Sequence, residues 1–259
     1  MDGYNPLYSL AGLMVGMLVG LTGVGGGSLM TPLLVIAFGF HPATAVGTDL
    51  LYASATKTVG SAVHGMRGTV DWAIVRRLAT GSLPAALLTL LVLSRAGTTA
   101  KETGATIAVV LGVALVLTAL ATFFRARIVA RVAPYFDGMS ERRLATLTVM
   151  LGAILGVLVS FTSVGAGALG MTALLILYPL APVNRLVGSD IAHAVPLTLI
   201  AGLGHWWLGS VDMMLLASLL AGSIPGIVLG SVIASRVTDR VLTPILATTL
   251  GLVGLKLIL

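Results

Sequence analysis

Residues 22–27 are Thr-Gly-Val-Gly-Gly-Gly, and residues 162–167 repeat this pattern as Thr-Ser-Val-Gly-Ala-Gly. Outward from these two stretches, an offset of 140 or 141 residues aligns further landmarks of the two halves. The clearest are Val46-Gly-Thr-Asp49 with Val187-Gly-Ser-Asp190, and Gly81-Ser-Leu-Pro84 with Gly222-Ser-Ile-Pro225. Chance similarity between apolar segments would not align polar and proline landmarks in one order. The sequence therefore predicts an internal duplication.

The composition places this duplication in a membrane. The chain has 259 residues, of which 57% are hydrophobic and only 9% are charged, so it is too apolar for a water-soluble domain. A spanning helix needs about 20 residues, which allows about eight to ten crossings. The first apolar segment, Leu7 to Leu21, is expected to belong to the membrane domain rather than to a cleaved signal. The absence of cysteine excludes disulfides, thiol nucleophiles and cysteine-ligated metal, and no cofactor is expected.

The predicted fold is an all-α polytopic membrane protein whose two homologous repeats each contain a broken or re-entrant segment followed by three long helices. The first broken segment joins two pieces that are each too short to cross comfortably, Leu7 to Gly23 and Ser28 to Gly39. The predicted long helices are 43–65, 71–94, 101–124, 186–205, 211–233 and 241–258. The predicted domains are an N-terminal repeat (1–124), a basic cytoplasmic linker (125–143) and a C-terminal repeat (144–259).

The distribution of basic residues favours inverted repeats. Cytoplasmic loops carry an excess of Lys and Arg, so the linker with five arginines is expected inside. An inverted arrangement places eleven of fifteen basic residues inside and three outside, with Lys57 within a helix, whereas a parallel arrangement gives nine against five. This arrangement also explains the net charge of +6 without invoking nucleic acid. Trp206 and Trp207 are then expected at the outer interface, where aromatic rings are enriched.

The glycine motif also resembles a known family. Gly23-Val-Gly-Gly-Gly27, followed by Pro32 and Ala45-Val-Gly-Thr48, is similar to the sulfite exporter TauE/SafE family, also called the toluene sulfonate uptake permease family. The resemblance covers nearly the whole chain. It implies a multi-pass transporter of the bacterial cytoplasmic membrane that moves sulfite, thiosulfate or a sulfonate such as taurine or sulfoacetate. The second copy departs from the pattern, because Ser163 and Ala166 replace glycines and Thr172 replaces the proline.

The two glycine breaks are the predicted binding site. In transporters with inverted repeats, broken helices direct N-terminal dipoles and free N–H groups at an anion near the midplane. Thr22, Ser28, Thr162 and Ser163 add hydroxyl donors. The remaining residues of the predicted site are glycine or alanine: Gly25, Gly26, Gly27, Gly165, Ala166 and Gly167. The alternative is that these residues only allow close packing of helices.

Lys57 is the most unusual predicted site residue, since it lies only about 5 Å from the midpoint of its predicted helix. A charge there is costly, on the order of 3 kcal/mol, and usually functional. It is expected to offset the charge of an anionic cargo. The alternatives are a lysine that extends to the interface and a structural partner of Asp49. Its counterpart in the second half is Thr198, so the charge is asymmetric.

Asp49 and Asp190 occupy matching positions and are candidates for binding a coupling proton or cation. Each is equally consistent with a structural role beside its broken segment. His193 follows Asp190 by three residues and is a candidate for sharing its proton, with a hydrogen-bonded packing role as the alternative. Asp71 and Asp212 are predicted to be helix-start residues.

The function predicted is secondary transport of a small anion by alternating access, with no catalytic residue and no metal site. The main alternative is an intramembrane aspartyl-type enzyme that uses Asp49 and Asp190, since paired carboxylates that share one proton serve such proteases. A passive anion channel is the other alternative, although it should show a continuous polar stripe. The expected partners are the sulfur-containing anion and membrane lipid, with a homodimer left open and no nucleic acid.

Overall fold

The computed structural model describes residues 5–22, 29–95, 100–233 and 239–259 of the chain. The described residues form helices and connecting turns, with no strand among them. The helices are α1 (Pro6–Thr22), α2 (Met30–Ile36), α3 (Pro42–Met66), α4 (Trp72–Arg95), α5 (Ala100–Phe123), α6 (Arg125–Val132), α7 (Glu141–Thr162), α8 (Ala168–Leu177), α9 (Val183–Trp207), α10 (Met213–Ile233) and α11 (Asp239–Ile258), with a 3-10 turn at Ala133–Phe136. The predicted all-α class is confirmed.

The six predicted long helices all occur, with ends within a few residues of those expected. Proline marks two of the starts, because Pro42 is the first residue of α3 and Pro182 precedes α9, where a missing N–H is tolerated. One segment is longer than expected. The piece before the second break is α7, whose 22 residues begin within the predicted linker and are long and apolar enough to cross a membrane.

Five helices in the described part of the chain are long and apolar enough to span a bilayer: α4, α5, α7, α9 and α10. α3 has 25 residues but is not among them. Its sequence carries Asp49, Lys57 and several hydroxyl residues, which lower its hydropathy. The first half of α3 is nevertheless almost entirely buried by the other helices. The first half of α3, which contains Asp49, therefore lies in the interior of the bundle.

Glycines hold two pairs of parallel helices in close contact. In the α1–α10 pair, a Cβ on Gly12 would collide with the Leu219 carbonyl, and one on Gly222 with the Ser9 carbonyl. In the α4–α7 pair, a Cβ on Gly81 would collide with the Val149 carbonyl. Small residues at such interfaces let helix backbones approach, which drives association in lipid. α1 therefore packs on α10 of the other half, and α7 packs on α4.

The corresponding helices α3 and α9 pack against each other and run antiparallel. Near the start of α3 the hydroxyl of Thr48 accepts the N–H of Asp212 (3.1 Å), and near the start of α9 the hydroxyl of Ser189 accepts the N–H of Asp71 (2.8 Å). Each helix therefore begins beside the residues that follow the other helix. The contact between α5 and α11 is also antiparallel, because Gly112 lies against Gly254 while Ala119 lies against Gly251.

The aspartates at these helix starts are confirmed as caps. The Asp71 carboxylate accepts the N–H groups of Ala73 (3.0 Å) and Ile74 (3.4 Å) at the beginning of α4. The Asp212 carboxylate accepts the N–H of Leu215 (2.9 Å) in the first turn of α10. These side chains satisfy donors that a helix N-terminus leaves without partners.

Candidate functional site

The second break, residues 163–167, is a buried stretch of backbone between α7 and α8. Ser163 ends α7 in the left-handed conformation, with φ of 57°. Gly165 and Gly167 follow with φ of 118° and 145°, values that an L side chain rarely adopts. Thr162 closes the turn, because its hydroxyl accepts the N–H of Val164 (3.1 Å). The glycines are therefore required by the turn itself.

Several N–H groups of this break are not used by the protein. No side chain caps α8, and the N–H groups of Ala166, Gly167 and Ala168 have no acceptor among the described residues. All three residues are buried. Free N–H groups at a helix N-terminus carry partial positive charge and favour an anion. The second break therefore offers donors to a bound anion inside the protein.

Lys57 of α3 reaches this break from the other half of the chain. Its ammonium group donates a hydrogen bond to the carbonyl of Ala166, at 2.8 Å. It also interacts electrostatically with Asp190 and Asp49, although neither carboxylate lies within ion-pair distance in the described part of the chain. Lys57 is therefore not a direct ion-pair partner of Asp49, and its cationic group lies beside the free N–H groups.

Asp49 is fully buried and joins α3 to α2. One oxygen of its carboxylate accepts two hydrogen bonds from Thr31, one from the N–H (3.1 Å) and one from the hydroxyl (2.5 Å). The second oxygen has no hydrogen-bond partner among the described residues. Ser163 of the second break is close enough to interact with this carboxylate, but the geometry of a hydrogen bond is not met. Asp49 therefore tethers the helix that follows the first break.

Asp190 is 3% exposed and lacks such a tether. Among the described residues none donates a hydrogen bond to its carboxylate, one oxygen of which packs against Gly170 of α8. It interacts electrostatically with Lys57 and with Arg125, the first residue of α6. Arg125 also approaches α8 directly, since its guanidinium donates to the hydroxyl of Thr172 (3.3 Å). Asp190 is thus a buried carboxylate flanked by two cations.

His193 lies one turn from Asp190 and is fully buried. Its Nε2 shares a hydrogen bond of 2.8 Å with the hydroxyl of Ser82 in α4, while Nδ1 has no partner in the part of the chain that the structure describes. His193, like Asp190, also interacts electrostatically with Lys57. The structure therefore brings together in its interior the second break, Lys57, both aspartates and His193.

Part of the predicted site falls outside the described residues, namely Gly25, Gly26, Gly27 and Ser28. Thr22 is the last residue of α1, and its side chain is likewise not described. The geometry given above is therefore that of the second break with the residues of α3, α4 and α9 around it.

Comparison with known proteins agrees with this arrangement of apolar helices around a polar interior. The family model described as sulfite exporter TauE/SafE matches residues 8–257. The chain belongs to the TauE/SafE family. It is 40% identical over 212 residues to the probable membrane transporter protein YjnA of Bacillus subtilis, covering 82% of this chain and 83% of that protein. It is 39% identical over 69 residues to the probable membrane transporter protein YunE of the same organism, covering 27% and 25%. No solved structure matches the chain.

The TauE/SafE family and the five apolar helices establish a multi-pass integral membrane protein of a transporter family. In this TauE/SafE protein, no group of three or more His, Cys, Asp or Glu residues suited to a metal ion occurs within the described ranges.

Three side chains around the candidate site were not predicted from the sequence: Thr31, Ser82 and Arg125. Ser82 lies in the repeated Gly-Ser-x-Pro motif, which was a usable signal. Thr31 and Arg125 had none, because a hydroxyl in an apolar helix is common and Arg125 is one of five arginines in the same segment.

Proposed function

We infer that this protein is a secondary transporter of a small sulfur-containing anion, such as sulfite, thiosulfate or a sulfonate like sulfoacetate or taurine. The observation that carries the inference is the hydrogen bond from Lys57 of the first half to Ala166 in the break of the second half. It places the one basic side chain near the middle of a long helix beside backbone donors that the protein leaves free. The family supports a transporter of this kind.

The anion would bind at the second break between the Lys57 ammonium and the N–H groups of Ala166, Gly167 and Ala168. A sulfite or sulfonate group presents three oxygens, which these donors would contact in place of water. The N-terminus of α8 adds a favourable electrostatic contribution to a negative charge. In this proposal the first break, which includes Gly25 to Ser28, supplies the opposite side of the site.

We also propose that the two halves are inverted repeats and that transport proceeds by alternating access. An inverted pair is related by an axis in the membrane plane, so matching helices that touch at this axis run antiparallel. The antiparallel contacts of α3 with α9 and of α5 with α11 support this relation. The packing of α1 on α10, and of α7 on α4, also supports this relation, because each of these helices packs on a helix of the other half. Linker residues 125–143 are then cytoplasmic.

Asp190 is the proposed binding group for a coupling proton or sodium ion, with His193 beside it. It is favoured over Asp49 because Thr31 already donates twice to Asp49, whereas Asp190 accepts no hydrogen bond from the described residues. The aspartyl-enzyme alternative requires two carboxylates that share a proton. No hydrogen bond joins Asp49 and Asp190 in the described structure, so nothing specific favours that alternative.

The test is flux of labelled sulfite, thiosulfate, taurine and sulfoacetate in proteoliposomes, with acetate as a carboxylate control. We expect one sulfur anion to be transported by the wild-type protein. Lys57→Met should reduce its transport by about 100-fold or more, since a transporter cannot replace a buried cation that faces its cargo. Thr198→Val changes the matching position of the second half and should retain most of the transport.

Both variants must elute as folded protein for the comparison to hold. Transport unchanged in folded Lys57→Met would exclude the proposed site. Absence of transport of every anion by folded wild-type protein in both orientations of the gradient would exclude the proposed cargo class. A thermal-shift screen of the same anions provides an independent measure, because a ligand of the folded state stabilises it by mass action.

A further inference from the structure

The segment between the two halves carries a basic amphipathic helix at the end of a membrane span. α6 begins two residues after α5 ends at Phe123, and none of its residues is fully buried. Arg127 and Arg131, one turn apart, are exposed, whereas Ile128 and Val132 are half-buried. Such a helix, with arginines on one face and branched apolar side chains on the other, suits the boundary between headgroups and acyl chains.

Two depressions combine arginine pairs with apolar side chains in this segment. The first has a volume of about 680 Å³ and is lined by Phe124, Arg127, Ile128, Ala130, Arg131 and Val132. The second, of about 330 Å³, is lined by Met139, Arg142, Arg143, Thr146 and Leu147. Each depression thus combines two cationic groups with an apolar surface. An anionic phospholipid is complementary to this combination, because it has a negatively charged headgroup and apolar acyl chains.

The protein itself does not neutralise these four arginines. Within the described residues the one ion pair joins Arg77 to Glu141. Arg127 lies over the ring of Phe124, with its guanidinium carbon 5.8 Å from the ring centroid. The segment 125–143 contains five arginines and only two acidic residues, Asp137 and Glu141, and Glu141 is the residue paired with Arg77. The surface therefore keeps an excess of positive charge.

We propose that this surface, which we name the linker surface (residues 124–147), binds anionic phospholipids through their phosphate groups. Polybasic segments next to a membrane span are attracted to anionic lipid by about 1 kcal/mol per basic residue. Exposed aromatic side chains occur in and directly before this segment, at Phe123 (57% exposed) and Tyr135 (81% exposed), and such residues are typical of the membrane interface. The apolar residues in both depressions favour a lipid over a free phosphate ion, which would need only the arginines.

The linker surface is connected to the interior of the protein. Arg125 of α6 donates to Thr172 of α8 and interacts electrostatically with Asp190. A lipid held by Arg127 and Arg131 would fix the position of α6, and with it the contact of Arg125 with the helix that follows the second break. Anionic lipid is therefore expected to raise the transport rate. This consequence rests on the proposed function, whereas lipid binding does not.

The test titrates the purified full-length protein in detergent with short-chain phosphatidylglycerol, phosphatidylcholine and inorganic phosphate. The variants are Arg127→Gln/Arg131→Gln and Arg142→Gln/Arg143→Gln, with Arg67→Gln/Arg76→Gln as the matched control. The control removes the same charge from exposed arginines in and beside α4, the helix that carries Arg77. Elution volume and thermal unfolding establish that each variant is folded.

We expect phosphatidylglycerol to bind at least about tenfold more tightly than phosphatidylcholine. Each double variant in the linker surface should weaken phosphatidylglycerol binding by about tenfold, and the control by less than about twofold. Equal binding of the two lipids, or an equal loss in the control, would overturn the proposal. Displacement of phosphatidylglycerol by millimolar phosphate would instead assign the arginines to a free anion and also overturn it.

The outcome is independent of transport. If the lipid binds as expected but no sulfur anion is transported, the linker surface stands and the proposed function fails. If the sulfur anion is transported and lipid selectivity is absent, the linker surface fails alone.

Discussion

The two halves of the chain place the same residue, aspartate, at the same point of α3 and α9 but surround it differently. Asp49 accepts two hydrogen bonds from Thr31, whereas Asp190 accepts none among the described residues and interacts electrostatically with Lys57 and Arg125. Hydrogen-bond donors stabilise a buried carboxylate and connect it to a neighbouring helix. A buried carboxylate without donors makes no such connection. The comparison teaches that duplication has preserved the packing of the halves while their polar interiors have diverged.

The divergence continues one turn further along these helices. Tyr52 and His193 occupy matching positions, and both are fully buried. His193 has a hydrogen bond to Ser82, while the Tyr52 hydroxyl lies close enough to Ser223 to interact but forms no hydrogen bond of good geometry within the described residues. Ionisable groups inside a membrane are expensive and usually functional. The groups proposed to bind a coupling ion, Asp190 and His193, therefore lie in the second half, and the Thr31 tether lies in the first.

The shared packing gives the largest expected effect. Gly81→Ala and Gly222→Ala each place a Cβ against a backbone carbonyl of the partner helix, that of Val149 and that of Ser9 respectively. Backbone cannot move aside as a flexible side chain can, so each variant should lose about 3 kcal/mol of stability. Denaturant unfolding in detergent micelles measures this loss.

Gly60→Ala is the matched control, since its Cβ would meet only the Ile191 side chain at an ordinary contact distance of 3.5 Å. Equal losses at Gly81 and Gly222 would support equivalent packing of the halves. A loss in one of them no greater than in the control would contradict it.

The two aspartates should respond differently to neutralisation. Asp49→Asn weakens the charge-assisted hydrogen bonds from Thr31 and should lower the free energy of unfolding by about 2 kcal/mol. Asp190→Asn removes a buried charge without hydrogen bonds and should cost less than about 1 kcal/mol or be neutral. The same micelle unfolding measures both.

Transport sharpens this comparison, because Asp190→Asn should abolish dependence on the coupling ion gradient while Asn at position 49 leaves the dependence in place. Equal stability losses, or coupling that survives in Asp190→Asn, would show that the two carboxylates have the same role.

His193→Phe and Tyr52→Phe test the next turn of the same helices. Replacing His193 leaves the buried Ser82 hydroxyl without its partner, so we expect a loss of about 1.5 kcal/mol. Replacing Tyr52 removes a hydroxyl that forms no hydrogen bond of good geometry within the described residues, so stability should change by less than about 0.5 kcal/mol. A larger loss in Tyr52→Phe than in His193→Phe would reverse the assignment of polar function to the second half.

Local signals were sufficient for most of the fold. The predicted helices 43–65 and 186–205 match α3 and α9 within a few residues, and matched landmarks predicted which helices correspond. Lys57 was recognisable because a charge is rare within a long helix, but its bond to Ala166 joins residues 109 positions apart and depends on how the halves pack. The Thr31 partner of Asp49 lies only 18 residues away in the same half and was missed for a different reason. Hydroxyl residues are common in membrane helices. Only the three-dimensional structure shows which of them donate a hydrogen bond to a buried carboxylate and which only pack.

Two hydrogen bonds join the halves at the starts of α3 and α9. Ser189→Ala removes the acceptor of the Asp71 N–H, and Thr48→Val removes that of the Asp212 N–H. Each should cost about 1 kcal/mol by micelle unfolding. Because the contacts share no residue, their costs should add in the double variant. If the halves are related by a two-fold axis, the two single costs should also agree within about 0.5 kcal/mol. Clearly unequal costs of the two single variants would show that no two-fold axis relates these contacts. The asymmetry of the polar interior would then extend to the packing of the helices.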